Sequence, residues 1–363
     1  MSMGARLKVL ALVPYPLGTA PGQRYRIEQW APYLGEQGID VHFEPFAAAE
    51  LSRVLYRPGE YMAKAWHMSR AWLRRAQAAW RSAEFDVIYL HREAALIGPA
   101  LLERLARRRN NRLLYDFDDA IWLPYVSPRN NYLSYLKAPG KTRVICRIAA
   151  AVTVGNSTLA EYARRYSQAV HVVPSTVSLR EYRPRPRACT PGGPVVGWTG
   201  SHSSAQSLRL VEGPLKTLAR TRRYRLILVG VDDYSLPGVE VECRPWRAES
   251  EVEDLWSFDV GIMPLFDDPW AKGKCAMKAI QYMGVGLPAV VSPVGANREI
   301  VHDGVSGLHA TTAQDWVRAL ERLLDSAELR AEMGAAGRRR VEAAYSAEVQ
   351  APRVASILRT LGR

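Results

Sequence analysis

The stretch that decides the fold runs from Lys272 to Glu299, KGKCAMKAIQYMGVGLPAVVSPVGANRE. Ala289 to Ser292 is a brief apolar run between Pro288 and Pro293. Such a run suits an interior strand of a parallel sheet, covered on both faces. Before it, Cys275 to Met283 predicts a short helix, and after it Gly295 bears a turn that opens another, with Glu299 near its start. Lys272, Lys274 and Lys278 gather near the start of the first helix, where ammonium groups oppose the helix dipole. A bound phosphate reverses that judgement, because helix N-termini and lysines both favour anions.

Working outward, the same alternation of strand and helix fills the chain. Lys8 to Val13 reads as a first buried strand. A loop from Pro14 to Gln23 leads to a helix from about Arg24 to Glu36, and a strand follows at Val41 to Phe43. This is the opening of a Rossmann-like unit, without the full Gly-x-Gly-x-x-Gly fingerprint of a dinucleotide site. Further strands are expected at Val87 to His91, Arg112 to Phe117, Ala150 to Gly155 and His171 to Val173. From Ser178 to Pro194 the sequence holds four prolines, two glycines and four arginines with no apolar period, which reads as a linker. The pattern restarts with strands at Val195 to Trp198, Arg225 to Val229, Val239 to Glu242, Val260 to Met263 and Ala289 to Ser292, so a second doubly wound unit follows the first. The tail is helical: Ala313 to Leu324, Ala327 to Tyr345 and Glu348 to Leu361.

The expected organisation is therefore an N-terminal Rossmann-like domain over 1–177, a linker over 178–194 and a second such domain over 195–345. A C-terminal helix, 346–363, returns toward the first domain. The two sheets would face a shared cleft, which suits a substrate with two distinct parts.

The chain has 363 residues, 48% hydrophobic and 23% charged, with a net charge of +13. The first figures fit two buried cores. The charge favours anionic partners: phosphorylated substrates, nucleic acid or an acidic membrane surface. For nucleic acid there is no recognition helix or aromatic stacking module, and charge alone is not specific. The four cysteines make no Cys-x-x-Cys pair, which excludes an obvious zinc site and fits a reducing compartment. No signal peptide is read at the N-terminus, and no apolar run approaches the ~18 residues that span a bilayer. The expectation is a cytoplasmic protein, at most peripheral at the inner face of a membrane. Residues 60–82 form one predicted helix with Trp66, Trp72 and Trp80 among Arg70, Arg74, Arg75 and Arg81. It either meets a membrane or lipid-linked acceptor, or packs its tryptophans on the first domain. The arginine runs Arg107 to Arg109 and Arg338 to Arg340 read as solvated faces.

At GLPAVVSPVGANREIVHDGVSGL, with FDVGIMPL and KCAMKAIQYM before it, the chain resembles the retaining glycosyltransferases of family 4, which have the GT-B fold: two Rossmann-like domains facing a cleft. GQRYRIEQW, YLHRE and YDFDDAIW in the first half resemble a bacterial branch of that family. The resemblance implies transfer of a sugar from a nucleotide-sugar donor to an acceptor hydroxyl of a glycan or lipid-linked acceptor, in cell-envelope or exported glycan synthesis. It implies retention, no required metal or cofactor beyond the donor, and no nucleic-acid partner. Two other classes share the plan: a sugar-nucleotide epimerase and a non-catalytic nucleotide-sugar binder.

The family usually places two glutamates eight residues apart here; this chain has Gln281 at the second and falls near Gly273 at the first. Gln281 keeps hydrogen-bonding capacity for a ribose, or faces solvent. No basic pair follows Trp198, so Gly200 and Ser201 are expected to offer N–H and hydroxyl groups to phosphate. Lys274 and Lys278 then supply the positive charge as catalytic residues, and Gly295 and Glu299 complete the donor side. In the first half, Gly22, Arg24, Arg26, His91, Arg92, Asp116, Asp118 and Asp119 are the acceptor or cleft residues. The aspartates could hold a metal through Asp-x-Asp. We read them instead as binding acceptor hydroxyls, or pairing a cation such as Arg92.

Overall fold

A computed structural model of the chain describes residues 6–55, 59–123, 137–184 and 193–363. The chain divides into two compact units, Met1–Ser175 with Gln350–Arg363, and Thr176–Val349. In the first unit β1 (Leu7–Val13), β2 (Ile39–Pro45), β3 (Val87–His91), β4 (Leu113–Phe117), β5 (Ala151–Val154) and β6 (Val170–Val172) form a sheet of order β2-β1-β3-β4-β5-β6. In the second, β7 (Val195–Thr199), β8 (Arg225–Val229), β9 (Glu240–Arg244), β10 (Val260–Met263), β11 (Ala289–Val291) and β12 (Gly307–His309) form one of order β12-β11-β10-β7-β8-β9. Every pairing is parallel. Residues Val9–Val13 of β1 and all of β3, β4, β7 and β10 are buried, as expected of central strands covered on both faces.

In each sheet the chain leaves a central strand for one edge, returns, and builds toward the other. The reversal lies between β1 and β3 in the first unit and between β7 and β10 in the second. Loops at the carboxyl ends of such strands diverge, and ligands of open α/β sheets bind there.

Among the described residues, elements that escape the periodicity of the sequence include the helices Ala49–Leu55 and Lys141–Ile148, and β12. The strand β12 opens on Gly307, whose position admits no Cβ because the Ala289 carbonyl packs against it. The predicted helix 24–36 begins earlier and is broken. It runs Pro21–Gln23, then a wide turn Arg24–Glu28, then Gln29–Glu36, with Arg26 at φ −128° and ψ −113°.

The segment 178–194 is also more structured than a linker at its start. Ser178 and Tyr182 are buried, and Val177 bridges to Ser346; residues 185–192 of that stretch lie outside the described residues. The arginine runs are not simply solvated. Arg107 Nε donates to the Ile148 carbonyl at 2.8 Å, Arg340 Nε to that of Ile300 at 2.8 Å, and Arg338 Nη1 to those of Tyr182 and Gly284. In the helix Tyr61–Arg81, Trp66 and Trp80 are exposed, Trp72 is half-buried against Gly98, and Arg75 is buried.

Candidate functional site

In the second unit the switch point is built by two glycines. Gly197 of β7 and Gly261 of β10 pair across it. A Cβ at either would strike a ring, that of Phe258 or of Tyr282. The notch at Gly261 lets Tyr282 of the helix Met277–Gly284 lie against the sheet. Its hydroxyl donates to the Ile262 carbonyl and accepts from the Thr199 N–H, both at 3.2 Å. Tyr282 thus pins the helix across β7 and β10.

That pinning sets Lys278. Its Nζ lies 5.3 Å from the ring centroid of Trp198 in β7, within cation–π range. Trp198 is fully buried and its Nε1 has no hydrogen-bond partner. Lys274 Nζ lies 5.5 Å from the Trp270 ring. Lys272 does not belong to this helix start. It ends a separate short helix, Pro269–Lys272, capped by Asp268, and pairs with Asp267 at 3.0 Å. The dipole argument therefore applies to Lys278 in the first turn, with Lys274 in the loop before it. That loop ends on Ala276 at φ +53°, a left-handed conformation that costs a non-glycine residue of order 1 kcal/mol.

Gly295, at φ +53°, packs its backbone on Lys272, whose carbonyl oxygen would lie 2.6 Å from an added Cβ. The glycine turn after β11 thus abuts the lysine loop after β10. Glu299 sits in the helix Ala296–Ile300 with its side chain exposed and its carbonyl bound by Arg340. Asn297, which the sequence reading passed over, is buried in the same turn. Its Nδ2 donates to the Ser292 carbonyl and its Oδ1 has no partner.

Two expectations are corrected here. The Gly200 N–H donates to the Val229 carbonyl and that of Ser201 to Ser204 Oγ, each at 3.0 Å. The Ser201 side chain in turn accepts from the Ser204 N–H in a capping box. Both N–H groups are consumed by the fold, as buried or turn backbone requires. Gln281 faces neither solvent nor an open surface, being only 4% exposed. Its Nε2 donates to Tyr182 Oη at 3.1 Å and to Glu251 Oε1 at 3.2 Å. Glu251 also accepts from Tyr182 Oη and Trp246 Nε1. Tyr182 and Glu251 are remote in sequence, so no local signal announces the cluster.

In the first unit the sequence-predicted residues converge at the ends of β3 and β4. Asp116 is fully buried and accepts four hydrogen bonds: Arg26 Nε at 2.7 Å, Arg26 Nη2 at 2.5 Å, Thr153 Oγ1 at 2.7 Å and His91 Nδ1 at 2.9 Å. Burial alone would raise its carboxyl, but the Arg26 charge and these hydrogen bonds hold it well below the usual carboxylate range. An ionised carboxylate only accepts, so His91 Nδ1 carries a proton and donates it to Asp116. Its Nε2 is buried, has no hydrogen-bond partner, and stands 3.9 Å from Asp118 Oδ1.

Arg92, at φ +57°, pairs with Asp118 at 2.7 Å and Asp119 at 2.5 Å. Burial would raise the Asp118 carboxyl too, and the Arg92 charge overrides it and lowers it. The ends of the Asp118 and Arg92 side chains press on Gly22, so a Cβ there would displace them. Arg24 has its guanidinium over the Tyr25 ring. Among the described residues no group of three or more His, Cys, Asp or Glu side chains converges as a metal site would.

Residues 193–326 match the family model described as "Glycosyl transferases group 1". No curated protein matches the chain significantly. Among solved structures, sucrose-phosphate synthase from Thermosynechococcus elongatus superposes with a TM-score of 0.70 at 17% identity, over 98% of this chain and 99% of that one. A glycosyltransferase from Rickettsia africae gives 0.68 at 13% identity, over 98% of each chain. Anabaena HepE in complex with UDP and glucose gives 0.68 at 16% identity, over 98% of this chain and all of that one. The chain has the GT-B α/β fold, and its second unit carries the segment that matches group 1 glycosyl transferases.

Proposed function

We propose that the protein is a glycosyltransferase that moves a sugar from a nucleotide-sugar donor to an acceptor hydroxyl. The observation that carries this reading is the switch point of the second unit. There Lys278, Lys274 and the Gly295 turn gather beside buried polar atoms of Trp198 and Asn297 that lack partners, inside the segment that matches group 1 glycosyl transferases. Unpartnered buried polar groups are costly unless a ligand or water satisfies them.

On this reading the second unit takes the nucleotide diphosphate and the first takes the acceptor. The bond between the anomeric carbon and the diphosphate oxygen breaks, and the acceptor oxygen bonds to that carbon. The acceptor proton passes to the departing phosphate oxygen. Negative charge builds on the diphosphate, so Lys274 and Lys278 act electrostatically. The resemblance to family 4 supports retention and a role in envelope or exported glycan synthesis. On the acceptor side of this reading stand His91, whose Nδ1 donates to Asp116, and the Arg92–Asp118 pair.

Thermal shift with UDP-, GDP- and ADP-sugars tests the donor first, because a ligand stabilises the fold it binds by mass action. The HepE structure holds UDP and glucose, so UDP-glucose heads the panel. Donor consumption is then followed with and without acceptor. Acceptor-dependent turnover supports the proposal; turnover of donor alone to an epimer, or binding with no turnover, overturns it.

A further inference from the structure

The helix Tyr61–Arg81 is packed inside out. The residues it buries are Ala71, Arg75, Ala78 and Ala79, three small side chains and a charge. The residues it exposes include its largest apolar ones: Met62 at 86%, Trp66 at 63%, Leu73 at 72% and Trp80 at 57%. These lie four, seven and seven positions apart, which puts them in one stripe along the solvent side. Isolated exposed apolar residues need no account, but a contiguous stripe marks an interaction surface.

Charge indicates what the surface meets. Arg70, Arg74 and Arg81 flank the stripe, and the helix has no Asp or Glu. Glu60 precedes it and Glu84 follows it, the latter paired with Arg81 at 3.0 Å, and Glu44 and Glu103 act on its buried Arg75. The neighbouring helix Leu101–Arg109 adds to the basic side. Arg109 lays its guanidinium 4.1 Å from the Trp80 ring centroid and donates from Nε to the Trp80 carbonyl at 3.2 Å. Beside it Arg108, Arg109, Asn110 and Arg112 line an open, polar depression. Aromatic and aliphatic side chains on one stripe, with arginines along its margin, is the arrangement of a helix lying in a lipid headgroup layer. A second copy of the chain docking face to face would bring like arginines together; an anionic surface attracts them.

We propose that this helix docks the protein on an anionic phospholipid bilayer. Met62, Trp66, Leu73 and Trp80 enter the acyl boundary, and Arg70, Arg74 and the Arg108–Arg112 depression hold headgroup phosphates. No helix of the described residues is long and apolar enough to cross a membrane, so the contact is interfacial.

Co-sedimentation with vesicles of phosphatidylglycerol and phosphatidylcholine, against pure phosphatidylcholine, tests this without reference to enzymatic activity. The expected result is preferential binding to the anionic vesicles that weakens with salt. It should fall about fivefold for each of Arg70→Gln and Arg74→Gln, and more than tenfold when Trp66→Ser, Leu73→Ser and Trp80→Ser are combined. Phosphatidylglycerol brominated on its acyl chains should quench tryptophan fluorescence of the unaltered protein, a readout that needs no variant. Absence of binding to anionic vesicles at low salt, binding without quenching, or binding unchanged in the triple variant would overturn the proposal. So would a dimer that the triple variant converts to monomer.

Discussion

Arg26 and Asp116, ninety residues apart, meet in a bidentate pair at 2.7 and 2.5 Å with both side chains at 0% exposure. The guanidinium also donates to the Val173 carbonyl at 2.7 Å and lies 4.8 Å from the Trp30 ring centroid. Asp116→Asn leaves that guanidinium buried without its counter-charge. Breaking one side of such a pair costs about 3–5 kcal/mol, and the urea midpoint of the variant should fall accordingly. A midpoint near that of the unaltered protein would show the pair to be dispensable.

The same carboxylate sets an acid limit. Its folded pKa lies below the ordinary value of about 3.9, so its contribution is fully present above that value. It is lost as the pH falls from there through the folded pKa, because the unfolded chain takes up the proton first. Stability between pH 6 and pH 3 should therefore drop more steeply in the unaltered protein than in Asp116→Asn. Parallel urea curves at the two pH values would contradict the assignment.

Lys274→Ala combined with Lys278→Ala should lower glycosyl transfer by about a hundredfold or more, the scale at which a single preorganised electrostatic group acts. The melting temperature should barely move, since both side chains are only part-buried and neither joins the core cluster of the second unit. Retained turnover would remove the electrostatic role from these lysines.

Gln281 stands where the resembled family carries glutamate, and the structure supplies a reason for the amide. Glu251 Oε1 is 3.2 Å from Gln281 Nε2, and both residues are buried. Gln281→Glu would set two carboxyls against each other, which cannot both ionise at that distance. The variant should lose about 3 kcal/mol or more at pH 8 and less at pH 5, where one carboxyl holds a proton. Equal losses at both pH values would argue against the clash.

Cys146 is fully buried in the helix Lys141–Ile148, and burial pushes its thiol up to about 12. Since the thiolate is the reactive form, native protein at pH 8 should leave this residue unmodified by iodoacetamide. Labelling should follow unfolding, as read by peptide mass spectrometry.

The alternation of apolar strands and amphipathic helices determined both sheets nearly strand by strand, because a central parallel strand announces itself as an unbroken apolar run. It missed β12, where Gly307 answers a neighbouring carbonyl rather than a pattern. In the first unit the residues His91, Arg92, Asp116 and Asp118 were legible because each stands at or just past a strand's carboxyl end. Their partners were less so: the sequence suggested Arg92 for the aspartates, and only the fold joined Arg26 to Asp116.

What the sequence determined by itself is the class of fold and the places where loops gather, since those follow from local periodicity and strand order. Tertiary structure decided which of those groups remain available. The N–H groups of Gly200 and Ser201 and the amide of Gln281 are consumed by distant neighbours. Of the tryptophans of residues 61–81, Trp66 and Trp80 face outward and Trp72 packs half-buried against Gly98. Hydrogen-bond satisfaction and burial are properties of the whole packed chain, and no short stretch of sequence encodes them.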